Sequence, residues 1–321
     1  MLFPLLEPKT GRSISLFLPL AFILIATMSC NEKVVKDDMA VNDNNEATYD
    51  ESSAQPRNLS QEFKDYWYAG EAEITSYRLS QARYGELREG TAALIYVTED
   101  FLPKEQVKAD QNNKNNIPVL KLNATKNFNT GIYPYSVMTS TFYPVNEKRH
   151  AIKVSQSMQE WCGHVYAQLN NRDDFEVMSH SYFQGEADQD FNLPKAVLEN
   201  EVWTQLRINP QELPVGEFEA IPDLAFVRMK HVTLQAYPAK ATRTEGNYTL
   251  QFPTLGRTLS ITFTPEFPYA ITGWEETFKS GFGNNAKQLK TTATAFKTIK
   301  SAYWGKNSNA DAPLRKELGL E

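Results

Sequence analysis

The chain has 321 residues, a formal net charge of −6, 41% hydrophobic and 12% aromatic residues, and two cysteines. Its length is ample for a sizeable core. The acidic balance excludes nucleic acid as the natural partner, because phosphate binding needs a basic footprint, and two cysteines exclude a disulfide-dense scaffold.

Lys9 and Arg12 precede an apolar run over residues 14–28, broken by Pro19. Such a run is short for crossing about 30 Å of hydrocarbon but fits a secretory h-region. Thr27-Met28-Ser29 leads into Cys30, so excision before Cys30 leaves a terminal cysteine for acylation. Residues 1–29 are expected to be a lipoprotein signal peptide, Cys30 the lipidation site, and a membrane the partner through the acylated Cys30. Asn31 stands where an Asp would signal inner-membrane retention, and the resemblance to sorted bacterial lipoproteins implies the outer membrane, on its periplasmic face or at the cell surface. Lys36-Asp37-Asp38 is similar to the acidic export tag of some surface lipoproteins. Cys162 is then left without a partner in its own chain.

Residues 30–60 are expected to form a flexible acidic tether, since their Asn, Asp, Glu and Ser content has almost no apolar periodicity to offset ordering entropy. A β-rich globular domain is expected over 61–305 and a loose C-terminal tail over 306–321. Ser60-Gln61-Glu62-Phe63 opens a short helix through Trp67, ended by Gly70. Strands follow at 72–83 and 91–97 around a turn region at 85–90, then at 117–128 and 132–143 around Asn129-Thr130-Gly131.

The stretches 150–169 and 175–183 flank a polar loop at 170–174. Pairing Asn170 with Asp174 sets Leu169 against Phe175, Ala167 against Val177 and Trp161 against Phe183, on one apolar face. Glu160, Cys162, His164, Tyr166, Met178, His180 and Tyr182 then share the other face, with His164 opposite His180. A longer helix is expected over 195–206, with Pro194 at its start and Val197, Leu198, Val202 and Leu206 as its stripe. Pro210, Pro214 and Pro222 mark a connection. Strands resume at 225–236, 248–252, 257–264, 269–278 and 287–304, with a Gly281-Phe282-Gly283-Asn284-Asn285 loop before the last. The expected fold is mainly β (β-rich α+β): a curved antiparallel sheet or open half-barrel with one longer helix.

The blocks at 67–77, Trp161-Cys162-Gly163-His164 and Ser179-His180-Ser181-Tyr182-Phe183-Gln184-Gly185-Glu186 resemble a family of uncharacterised Gram-negative envelope lipoproteins, over most of residues 60–305. Some members carry the label septum formation inhibitor Maf. Maf pyrophosphatases have an early Ser-x-Ser-x-Arg-Arg motif, which this sequence lacks, so their activity is not carried over. The resemblance implies an envelope address and, by analogy with lipoprotein-carrier folds, a sheet curled around a helix.

Glu160, Cys162, His164, His180 and Tyr182 form the candidate functional face. A thiolate nucleophile needs an imidazole to depress its pKa and a third group to orient the ring, so Cys162 with His164 or His180 is the candidate set for an envelope hydrolase or acyltransferase. Zinc held by His164, His180 and Cys162 is a further reading, without the ligand spacing of known sites. No cofactor motif occurs. The leading expectation is a non-enzymatic outer-membrane lipoprotein whose sheet binds a lipid-like ligand or an envelope protein partner.

Overall fold

The computed structural model describes residues 55–321. The expectations for the signal peptide, Cys30 and the first part of the tether lie outside the described residues. Residues 55–60, expected within the tether, are held in place. Gln55–Pro56 pairs with Glu147–Lys148. Arg57 is buried, donating from Nε and Nη2 to Glu212 Oε2 and from Nη1 to the carbonyls of Pro144, Val145 and Glu147.

Helix α1 (Gln61–Trp67) starts where Ser60 Oγ accepts the Phe63 N–H at 3.0 Å, the expected cap. The sheet is built from β1 (Ala72–Arg83), β2 (Glu86–Leu102), β3 (Ile117–Thr130), β4 (Tyr133–Pro144), β5 (Lys153–Glu160), β6 (Gly163–Asn171), β7 (Phe175–Ser181) and β8 (Gln189–Leu193). It continues with β9 (Val197–Leu198), β10 (Gly216–Ile221), β11 (Tyr237–Thr244), β12 (Asn247–Phe252), β13 (Arg257–Phe263), β14 (Ile271–Ser280) and β15 (Lys287–Ser301). Strands β1 to β8 lie side by side in chain order, β15 pairs with β1, and β15 to β9 continue on the far side. All these pairs are antiparallel except β9 with β10. The fold is therefore mainly β, one large and mostly antiparallel sheet that does not close into a barrel. Its outermost strands, β8 and β9, are joined by residues 194–196 alone, so the sheet curls until Leu193 and Val197 lie within about 14 Å of each other.

The curl encloses two helices, α2 (Glu199–Ile208) and α3 (Leu224–Lys230). α2 packs on β3 and β4, and α3 on β4 and β5. Nine of the ten α2 residues are buried, polar ones included. Burying charge is costly unless it is paired, and each end of α2 has its own arginine. Arg257 on β13 bonds Glu199 through Nη1 and Nη2, and Glu276 through Nε at 2.7 Å. Arg207 meets Glu73 on β1 at 2.6 and 2.8 Å. Between them Glu201 caps the helix through the Leu198 N–H and accepts the Ala151 N–H, with His150 Nδ1 at 2.8 Å.

Several expectations are corrected. The 150–169 stretch is two strands, β5 and β6, because Trp161 and Cys162 form a tight hairpin turn that pairs Glu160 with Gly163. Trp161 thus leaves the core and is 67% exposed. Phe175 pairs with Asn171 rather than Leu169, a two-residue shift. A shift of two preserves parity, so Val165, Ala167, Leu169, Phe175 and Val177 still share the buried face. Residues 197–198 are an edge strand, and the helix begins only at Glu199. The expected 225–236 strand is α3 plus a loop, since Pro222 and Asp223 start a helix ahead of Leu224. The expected loose tail carries α4 (Ala312–Glu317), after which Leu318 packs in a small cluster with Ala72, Ile74 and Val97.

Candidate functional site

Between the inner face of β6, β7 and β8 and the C-terminal end of α3 lies a cleft of about 740 Å³. Its floor is apolar, with Val165, Ala167, Phe191, Leu193, Leu224 and Leu234. Val165, Ala167, Phe191 and Leu193 point inward because alternate strand residues face the concave side, while Leu224 comes from α3 and Leu234 from the loop that follows it. The mouth is polar and is formed by Glu186, Asp188, Asp190, Arg228 and His231.

The mouth is organised around Glu186, on the short turn between β7 and β8. Arg228 Nη1 donates to Glu186 Oε2 at 2.7 Å, and His231 Nδ1 lies 2.5 Å from Oε1. The same Nδ1 also lies 2.9 Å from Arg228 Nη1, so the three side chains form one closed cluster. His231 takes the left-handed conformation (φ 54°, ψ 41°) that terminates α3, which turns its ring back toward Arg228. The ring of Phe183 covers both bases: its centroid is 4.1 Å from the guanidinium carbon of Arg228 and 5.2 Å from the His231 ring. Burial draws the Arg228 guanidinium below its ordinary value, against the pull of Glu186, with Arg83 adding a like charge.

The candidate face derived from sequence lies on the opposite, outer side of the sheet, where Cys162, His164, His180 and Tyr182 are exposed and Glu160 half-buried. His164 registers with Gln159, and His180 with Tyr166, so the two imidazoles do not oppose each other. His180 Nδ1 is instead 3.1 Å from Asp188. Tyr182 lies over the backbone of Gly163, where an added Cβ would be 2.7 Å from its Cγ. Cys162 donates its backbone N–H to Glu160 Oε2 at 2.7 Å. The hydrogen bond the thiol donates to Glu160, then desolvation and the Glu160 charge, push the thiol above its ordinary value. A nucleophilic thiol requires the reverse shift. Among the described residues no group of three or more His, Cys, Asp or Glu is placed to hold a metal.

Glu186, Arg228 and His231 were missed by sequence reasoning. Glu186 closes one of the blocks that carried the family resemblance, but Arg228 and His231 fell in a segment read as strand. The helix-start signal at Pro222-Asp223 would have placed them one helical turn apart on α3.

No family model and no curated protein matches the sequence. Among solved structures, the chain is similar to a porin-like protein from Bacteroides uniformis, with 12% identity, 71% of this chain and 95% of that chain covered, and a TM-score of 0.21. A likeness at that TM-score carries no argument about function.

Proposed function

We propose that this chain is an outer-membrane lipoprotein, anchored through acylated Cys30, whose curled sheet binds a lipid-like ligand in the cleft beside α3. The cleft itself carries the reading. At about 740 Å³ it falls within the range of small-molecule sites, and it pairs an apolar floor with a few convergent polar groups at one end. Acids outnumber bases at the mouth, with Glu186, Asp188 and Asp190 against Arg228 and His231. That balance favours a head group that donates hydrogen bonds, such as a hydroxyl or amine, over an anionic one. The domain faces either the periplasm or the cell surface.

The test is native mass spectrometry of the gently extracted full chain, alongside binding of a fluorescent naphthylamine probe. Wild type is expected to carry a lipid and to bind the probe. Ala167→Trp, which fills the floor, is expected to lose both while retaining its β circular-dichroism spectrum. Equal probe binding by Ala167→Trp, or wild type that carries no lipid, would sink the cleft as the binding site. An intact mass without added acyl chains at Cys30 would separately remove the anchor.

A further inference from the structure

In an antiparallel meander every second connection lies at the same end. The β1–β2, β3–β4, β5–β6 and β7–β8 turns therefore share one end, and the β14–β15 turn joins them because β15 runs antiparallel to β1. Large apolar side chains stand exposed at four of these five turns. Ile132 is 84% exposed, Trp161 and Phe282 each 67%, and Tyr182 65%.

Their rings are linked across the end of the sheet. Phe282 is 6.2 Å from Tyr84, whose hydroxyl is 2.8 Å from that of Tyr135. The Tyr135 ring is 5.9 Å from Tyr133, and Tyr133 is 6.2 Å from Trp161. Tyr182 covers Gly163 beside Trp161 and is 5.3 Å from Phe183, at the cleft mouth. The arc is tied to the scaffold: Arg83 donates to both Tyr84 and Tyr135, and the Gly85 N–H donates to Ser280 Oγ, joining two of the turns. Lys279 and Lys287, both exposed, flank Phe282, and Lys230 donates to the Lys279 carbonyl.

We infer that this rim is a membrane-docking edge, with Ile132, Trp161, Tyr182 and Phe282 entering the interfacial layer of a bilayer while Lys279 and Lys287 meet anionic headgroups. Aromatic rings with one polar end prefer that layer, and lysines beside it gain from a negative lipid surface. Separate apolar tips at one end, rather than a continuous flat face, suit a soft lipid phase that closes around each side chain. Gln55–Pro56 pairs at the β4–β5 connection, at the other end of the sheet, so the rim does not coincide with the point where the chain enters the domain. The inference does not depend on what fills the cleft.

The test uses the mature chain from residue 30 onward carrying Cys30→Ala, which lacks both the apolar run over residues 14–28 and any acyl anchor, in flotation with phosphatidylcholine vesicles with and without phosphatidylglycerol. Binding is expected, stronger with phosphatidylglycerol and weakened by salt. Trp161→Ser combined with Phe282→Ser is expected to weaken it about ten-fold or more while folding is retained, since both side chains are exposed. Lipid-borne bromine is expected to quench the emission of the Cys30→Ala chain more than that of the same chain with Trp161→Phe. Absence of flotation, or flotation and quenching indifferent to the rim substitutions, overturns the assignment and leaves the rim as a surface for an envelope protein. Ala167→Trp is expected to leave flotation unchanged, which separates this outcome from failure of the cleft.

Discussion

Arg207 and Glu73, 134 residues apart, form a fully buried two-pronged pair that fastens the end of α2 to the first strand of the sheet. The guanidinium also lies over the rings of Trp67 and Tyr96, and its Nε donates to the Pro268 carbonyl. Glu73 in turn accepts from the Tyr66 hydroxyl. One charge pair thus ties α1, α2, β1 and the β13–β14 connection together.

Removing one member of such a pair leaves the other buried without its counterion, an effect of about 3–5 kcal/mol. Arg207→Leu and Glu73→Leu are each expected to destabilise the domain on that scale in urea unfolding. The double variant is expected to recover part of the loss, because neither charge is then stranded. Single variants indistinguishable from wild type would show that the pair contributes little.

Acidification should act through the same carboxylates. Burial raises the Glu73 carboxyl, but Arg207, the Tyr66 hydroxyl and Lys300 together bring it below its ordinary value. Glu212 is likewise lowered: burial opposes ionisation, while the hydrogen bond and charge of Arg57, then Lys148, overcome it. For a depressed acid the unfolded chain binds the proton more readily, so the stabilisation is complete above the unfolded value of about 4.3 and is lost as pH falls through the lower folded values. The urea midpoint is expected to be flat from neutrality to mild acid and to fall below about pH 4. Glu73→Gln is expected to flatten that fall; an unchanged acid limb would contradict the assignment.

Gly90 tests how tightly the sheet is packed. It pairs with Phe128, and a Cβ added to it would lie 2.2 Å from the Asn127 carbonyl oxygen and 2.8 Å from Phe128 Cβ. Gly90→Ala must therefore push β2 from β3, at about 1–3 kcal/mol for an overpacked site. A midpoint shift in urea at unchanged slope is the readout, and a neutral result would mean that the strands separate freely.

For Cys162 the prediction concerns rate. With Glu160 raising its pKa, the thiol is expected to react with a disulfide reagent near neutral pH more slowly than free cysteine, despite full exposure. Glu160→Gln is expected to accelerate it and shift the pH profile downward. Rapid reaction of wild type at neutral pH would revive the thiol-enzyme reading.

Alternation and turn chemistry made most of the sheet legible. Strands β1, β3, β4, β12, β13 and β14 lie within a few residues of their expected positions, because Gly85, Gly131 and the 281–285 loop mark turns that local sequence is enough to specify. Val165, Ala167, Leu169, Phe175 and Val177 reveal the inner face of β6 and β7 even in the wrong register, since parity survives a two-residue shift. Local pattern does not distinguish a continuous strand from a hairpin at Trp161-Cys162, nor a strand from a buried helix at Leu224-Ala225-Phe226-Val227, where apolar residues run on all sides.

The sequence by itself determined the class of the domain, a curled antiparallel sheet with one longer helix, because strand periodicity and turn residues are properties of neighbouring positions. Only the tertiary structure decided that Glu186 would stand between Arg228 and His231, and that Ile132, Trp161, Tyr182 and Phe282 would share one rim. Those residues come from strands and turns far apart in the chain. What brings them together is strand order and the curl that folds the sheet around α2 and α3, which no local pattern encodes.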